Sequence, residues 1–444
     1  MKHLFHTGSF LKILRFKKDL NVGPMLGFAF AAISCTSFSA LASTLFVNSD
    51  GSPGAYATIG AAVGAAQAGD IIYVAPGTYH EDVTIGKPLS LVGSGRGRSV
   101  INAIDLSNGI YIDGFDHPGL SKVVVTRFTV ENANFEGILV TNASSVIIAE
   151  NEVIHNDLVL NPGGGCSGQP AFETSEGDDC GEGIHLIGVD HSTVRNNISE
   201  KNSGGILLTD ETVATHDNLI IGNLVRNNPF DCGITLASHP NVVSSSLPPG
   251  VYNNLIANNE STHNGLQEPG AGAGVGIFAP GPGNKAYSNV VVNNLLKDNG
   301  LPGVALHNHA AFDGAPPVNL NDNVIVGNRI SGNNADTGDA VTAGPTGINI
   351  FGIAPITGTI ISGNIIEEET EDIVTNTPAE VNVHFNDLLG GQVGVNNIGT
   401  GTVNATENWW GSPRGPGAEG GTKVEGTGVT FTPWLRFPIL EPQR

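Results

Sequence analysis

His239, His307 and His309 are the residues of this sequence whose types and spacing suggest chemistry. His239 and His309 each stand six positions after a Gly (Gly233 and Gly303) in a recurring Gly-apolar segment, and His307 stands four after Gly303. Asp313 follows closely. Asp210 and Glu211 occupy the matching place one segment before His239, and Asp190 with His191 the segment before that. A row of imidazoles and carboxylates has the acid and the base that general acid–base proton transfer needs. The same types, His307 and His309 with His239 and Asp313, are donors that copper or zinc accepts. The competing reading is structural, since polar turn residues often do no more than face water.

Other groupings also admit a chemical and a structural reading. Glu173, Glu176, Asp178, Asp179 and Glu182 crowd a Gly-rich stretch, and Asp178, Asp179 and Glu182 are candidate Ca²⁺ ligands. Their spacing matches no calcium-loop pattern, which favours a solvated acidic loop. Cys166 and Cys180 are predicted to form a disulfide across that stretch in an oxidising compartment. Cys232 reads as a small buried apolar residue, with a Cys180–Cys232 pairing left open. Gly93-Ser94-Gly95-Arg96-Gly97-Arg98 reads as a turn, because no helix pattern follows to supply the dipole of a phosphate site.

The elements that must position these residues repeat. Gly109, Gly137, Gly183, Gly205, Gly233, Gly276, Gly303 and Gly347 each open a short apolar strand, at spacings from 22 to 46. The short spacings suit one coil of three short strands; those in the forties suit a coil with a long loop, or two coils. Asn151, Asn197, Asn223, Asn259, Asn294 and Asn328 are each followed five residues later by another Asn, from Asn156 to Asn333. Asn364 begins a seventh copy with Glu369 as its partner. Asn tolerates left-handed corners, and stacked amides can bond along the stack. Such coils bury their apolar face only by stacking. The residues one and three after each Gly should point inward, those two and four after it outward.

The expected fold is therefore all-β: a single right-handed parallel β-helix over residues 43–444. A short capping helix over 57–68 should cover the first coil, and a capping segment over 403–436, with Trp409 and Trp410, the last. Residues 1–42 read as a signal peptide, with five basic residues, an apolar run from Met25 and cleavage after Ala42. No second hydrophobic span follows, so the mature chain is expected in the periplasm or secreted, without stable membrane insertion, and as a monomer. Acidic residues outnumber basic ones 42 to 20. That balance repels nucleic acid and polyanions unless a cation intervenes.

Ile71-Tyr73-Val74-Ala75-Pro76-Gly77-Thr78-Tyr79 with Glu81, the Gly-Ile and Asn repeats and the closing Asn408-Trp409-Trp410-Gly411 resemble the pectin-lyase-like β-helix superfamily. The nearest sub-type is that of exported bacterial proteins with parallel β-helix repeats, which includes a periplasmic copper-insertion accessory protein. The likeness covers residues 44 to 436 and implies fold more than function, because these repeats are structural. Gly77-Thr78-Tyr79-His80-Glu81 resembles a first pectin methylesterase motif, but the later motifs are absent. The paired Asp and Gly-His-Gly turn of polygalacturonases are absent too. Arg195, Arg226 and Arg329 stand beside the Asn corners rather than where a lyase base belongs. Asp116-His117-Pro118 is not the epimerase order.

The expectation is an exported protein that binds a polysaccharide or oligosaccharide, neutral or weakly charged, in a groove along one edge of the solenoid. Cleavage by a lyase or glycoside hydrolase mechanism, or epimerisation, would fall to His239, His307, His309, Asp313, Asp210 and Glu211. The alternative is a non-catalytic accessory or metal-binding scaffold. No cofactor is required by the sequence; Ca²⁺ is the first candidate, Cu or Zn the second.

Overall fold

The computed structural model describes residues 42–160, 168, 170, 181–244, 246–267, 272–309, 314–339 and 341–439. Within them one motif repeats: strand, tight corner, strand, corner, strand, long turn. Val124–Thr126, Thr129–Glu131 and Ile138–Thr141 make one such coil. Each strand then pairs in parallel with its counterpart a coil further on. The result is three long parallel sheets of 14, 12 and 11 strands, with a 3-stranded sheet beside them.

Inward positions follow the alternation read from the Gly residues. Ile138 and Val140, Ile184 and Leu186, and Ile206 and Leu208 are all at most 1% exposed. They belong to one apolar core running from Val47 to Trp410. Each such side chain contributes about 1.5–3 kcal/mol by leaving water, which no single coil could collect alone. The recurrent Gly is a matter of space rather than of backbone freedom. A Cβ on Gly137 would lie 2.1 Å from Cγ1 of Val153 and 2.8 Å from the carbonyl oxygen of Gly183 in the next coil.

The long spacings are single coils with long loops. Ile138–Thr141 pairs directly with Ile184–Ile187, Ile234–Ala237 with Val275–Ala279, and Val304–Asn308 with Thr346–Gly352. One register differs from expectation. Val275, not Ile277, is opposite Ile234 and Val304, so Gly274 is the true counterpart of Gly233 and Gly303. Gly276 lies two residues further, in the outward row, where a Cβ would meet the ring of Phe278 at 2.3 Å.

The Asn corners stack as ladders. Asn197 Oδ1 accepts from the backbone N and the Nδ2 of Asn151 at 2.9 and 3.1 Å, while its own Nδ2 donates to the Ile148 carbonyl at 3.0 Å. This runs through Asn223, Asn259, Asn294, Asn328, Asn364 and Asn386 to Asn408. The second ladder ends on Glu369, whose Oε1 accepts both donors of Asn333. A third, unanticipated ladder joins Asn218, Asn254, Asn289 and Asn323, each five residues before a member of the first. The left-handed residue of the corner is not the ladder Asn. It is the residue before it: Glu150, Asn196, Asn258 and Asn293 at the first ladder have φ between 53° and 59°.

The ends are closed. The helix Ile59–Ala65 buries Ile59, Ala62 and Val63, and its Thr58 side chain caps it. Glu81 accepts from the backbone N of Ile59 and of Gly60, each at 2.8 Å, placing a carboxylate at the positive end of the helix. At the far end Trp410 is fully buried, with Phe431 edge-on at 6.4 Å. No helix among the described residues is long and apolar enough to cross a membrane.

Candidate functional site

The outward face of the 12-stranded sheet and the turn after it carry most of the ionisable residues that are sealed from water. Three outward rows can be followed from coil to coil. The row just before the Gly holds Glu136 and Glu182. The row two after it holds His185, and Thr209 stands four after Gly205. All are 0–1% exposed, as are Asp210, Glu211 and His239 in the turn beyond. The expected open groove at His239 is thus a closed, polar interior.

These side chains form one continuous chain of contacts over four successive coils. His185 Nδ1 lies 3.5 Å from Glu136 Oε1, and its Nε2 lies 2.9 Å from Thr209 Oγ1. Glu182 completes a group with His185 and Glu136, their ligand atoms within 4.8 Å of one another. Thr209 in turn bonds to Glu211, and His239 Nδ1 donates to Glu211 Oε1 at 2.8 Å. Asp210 holds the turn: Oδ1 accepts from the backbone N of His239 at 2.7 Å, and Oδ2 from Ser238 Oγ at 3.0 Å and Gly250 N at 2.6 Å.

The adjacent carboxylates Asp210 and Glu211 are driven in opposite directions. Burial pushes Asp210 up to about 7, against the hydrogen bonds from His239 and Gly250. Burial also pushes Glu211 up, but the charge and hydrogen bond of His239, with the charge of His185, outweigh it and hold Glu211 below its ordinary value. Burial and the charge of Glu136 raise Asp157, beside this group, to about 8. Neighbouring carboxylates separated in this way are a pattern of acid–base sites.

A second cluster lies further along the same sheet. His307 is 2% exposed between Phe278 and Phe351, to which it is edge-on at 5.6 and 5.9 Å. Its Nδ1 lies 3.4 Å from Asp339 Oδ2 and its Nε2 3.3 Å from Asp336 Oδ2. His309 Nε2 donates to Asp339 Oδ2 at 2.9 Å. Hydrogen bonds from His307 and His309 hold Asp339 well below the usual carboxylate range. One strand separates the His239 coil from the His309 coil, as expected, and a parallel spacing of about 4.8 Å per strand puts the two turns about 10 Å apart. The two groups nonetheless have different partners: Asp210 and Glu211 for His239, Asp336 and Asp339 for His307.

The family model for the right handed beta helix region matches residues 98–247. The chain folds as a right-handed parallel β-helix. No curated protein matches this β-helix in sequence. Among solved structures, DFA-IIIase from Arthrobacter chlorophenolicus A6, without its lid and in complex with GF2, superposes with a TM-score of 0.55. Its identity is 12%, over 86% of this chain and 98% of that one. Pectate lyase Pel9A gives 0.42 at 15% identity, over 81% and 77%. ORF18 of Geobacillus virus E2 gives 0.47 at 15%, over 76% of this chain but only 53% of its own. At these identities the likeness is one of fold.

Asp313, Asp178, Asp179, Cys166 and Cys180 lie outside the described residues. Glu182 is not on a solvated acidic loop but buried against His185. Cys232 is free and buried, and burial raises its thiol well above the ordinary value. Asp190 and His191 pair with each other on an exposed turn. Arg96 of the Gly-rich turn reaches the carbonyls of Glu150 and Asn196. Sequence reasoning passed over Glu136, His185, Asp336, Asp339 and Asn349. The first two were legible as outward positions, whereas Asp336 and Asp339 come from a loop whose return to His307 no local spacing encodes.

Proposed function

We propose that the protein is exported, loses residues 1–42, and binds an oligosaccharide across the outward face of the 12-stranded sheet. The Glu211–His239 pair is its proton-transfer couple. The observation that carries this reading is an acid–base pair sealed from water, His239 Nδ1 on Glu211 Oε1 at 2.8 Å, with a second carboxylate, Asp210, beside it and all three at most 1% exposed. A solenoid needs no such group for its coils, and burying it costs several kcal/mol. The net charge of −22 favours a neutral or weakly charged sugar over a polyanion. The fold neighbour solved in complex with GF2 supports a carbohydrate as the ligand class.

Access is through the turn after His239. Residues 241–244 and 246–250 follow His239 and bond to the turn of Asp210 to Thr212 through Val242 N to the Glu211 carbonyl at 2.9 Å, Asn241 Nδ2 to the Thr212 carbonyl at 2.9 Å and Gly250 N to Asp210 Oδ2 at 2.6 Å. Val242, Val243 and Leu247 on it are 40–56% exposed. In the reaction, neutral His239 would take the proton from the sugar at Nε2 while its Nδ1–H stays on ionised Glu211, and the imidazolium so formed would return that proton to the leaving oxygen.

A second reading, a non-catalytic scaffold, is favoured by the three hydrogen bonds on Asp210, which pin a turn. One experiment separates the two. A panel of neutral and weakly charged oligosaccharides is incubated with the protein and assayed for new reducing ends and unsaturated products. Turnover by the wild type that Glu211→Gln and His239→Asn abolish supports the enzyme; binding without turnover, unchanged in both variants, supports the scaffold.

A further inference from the structure

The His307 cluster has a different geometry from the proton-transfer pair, and it suits an ion. His307, His309 and Asp339 each offer one ligand atom, and the three lie within 4.8 Å of one another. Asp339 Oδ2 is 3.4 Å from the first and 2.9 Å from the second. Zinc holds nitrogen and oxygen ligands at about 2.0–2.2 Å, so the edges of its tetrahedron measure about 3.3 Å. The two separations from Asp339 bracket that value.

The back of His307 is what sets this cluster apart. Its Nε2 faces Oδ2 of Asp336 at 3.3 Å, and Asp336 is only 2% exposed. Asn349 Nδ2 donates to the same oxygen at 2.9 Å and lies 3.3 Å from Nε2. A carboxylate can only accept, so once an ion took the place of the proton on Nδ1 the ring would keep its other proton on Nε2, facing Asp336. Ligating histidines are held in this way by a carboxylate behind the ring. The two edge-on phenyl rings fix the imidazole plane. A grouping of His191, His216 and Asp217 lacks such support, since each imidazole there bonds the Asp next to it in sequence on an exposed turn.

We propose that His307, His309 and Asp339 bind a divalent first-row transition ion, zinc or a similar metal, with Asp336 as the positioning residue. Three protein donors leave a fourth position. The His309 and Asp339 side chains are 41% and 44% exposed, so that position opens to water or to an oxygen of a ligand. The site is independent of Glu211 and His239, and its failure would leave the carbohydrate reading standing.

The test is calorimetric titration of the chelator-treated full chain with ZnCl₂, repeated with CoCl₂ to read the visible absorption of the bound ion. One Zn²⁺ per chain at micromolar affinity or better is expected, with a tetrahedral Co²⁺ spectrum. His309→Ala, exposed and so tolerated by the fold, should weaken binding by about 100-fold or more, and Asp336→Asn by about 10–100-fold. The proposal is overturned if no ion binds at about 100 μM, if His309→Ala and Asp339→Ala bind like the wild type, or if His216→Ala rather than His309→Ala abolishes uptake. Thermal unfolding of each variant without metal checks that the loss is not one of folding.

Discussion

His239 Nδ1 and Glu211 Oε1 face each other at 2.8 Å between adjacent coils, and neither residue is more than 1% exposed. Removing one partner leaves the other polar and buried. Glu211→Gln is therefore expected to cost about 3–5 kcal/mol of stability, and a Glu211→Gln/His239→Gln double variant less than the sum of the singles. Thermal and urea unfolding of the set measure both the loss and the coupling. Additive effects would mean that the two groups do not form a pair.

Residues at two neighbouring corners of one coil make opposite predictions. Asn223→Ala removes the acceptor for the backbone N and Nδ2 of Asn197 and the donor to the Val194 carbonyl. With net values of about 1 kcal/mol per bond and a penalty for donors left buried, the cost should be about 2–4 kcal/mol. Asn227, with φ of 55°, carries the left-handed turn. Asn227→Gly should change stability by less than about 0.5 kcal/mol, while Asn227→Val should destabilise by about 1–2 kcal/mol. Denaturant midpoints separate these cases.

Glu369 occupies an Asn position at the end of a ladder, and burial there pushes its carboxyl up to about 7 from an ordinary 4.5. The folded state then holds a proton that the unfolded chain releases between pH 4.5 and 7. The stabilisation is complete below pH 4.5 and is lost as pH rises through 7. Glu369→Gln keeps an acceptor for Asn333 without the charge. It should match the wild type near pH 4.5 and exceed it at pH 8, by at most about 3 kcal/mol. Melting temperatures at both pH values check this; a variant less stable at pH 8 would contradict it.

How much of this was legible follows from what each residue encodes. Gly137 and its counterparts mark the coil because neighbouring backbone excludes a Cβ, and Asn ladders recur because each amide must meet the next. Both are local and periodic. The slip at Gly276 arose because Gly274-Val275-Gly276-Ile277 contains the signature twice, two residues apart. A shift of two keeps inside and outside, so every face was still assigned correctly. Propensity alone points to the ladder Asn for the left-handed conformation, whereas the buried hydrogen-bonding role competes for that residue and its predecessor takes the turn. At the site, His239 with Asp210 and Glu211 was readable because the coil period brings them together. The partners of His307 were not: Asp313 was nearest in sequence, but Asp336 and Asp339 return from a long loop.

The account rests on the outward face of the 12-stranded sheet engaging a sugar. Hydrogen–deuterium exchange, with and without the best-binding oligosaccharide of the panel, tests that most directly. Protection should concentrate in residues 206–212 and 234–250, around Glu211 and His239. Protection confined to the 11-stranded sheet, or no binding by any member of the panel, would contradict it.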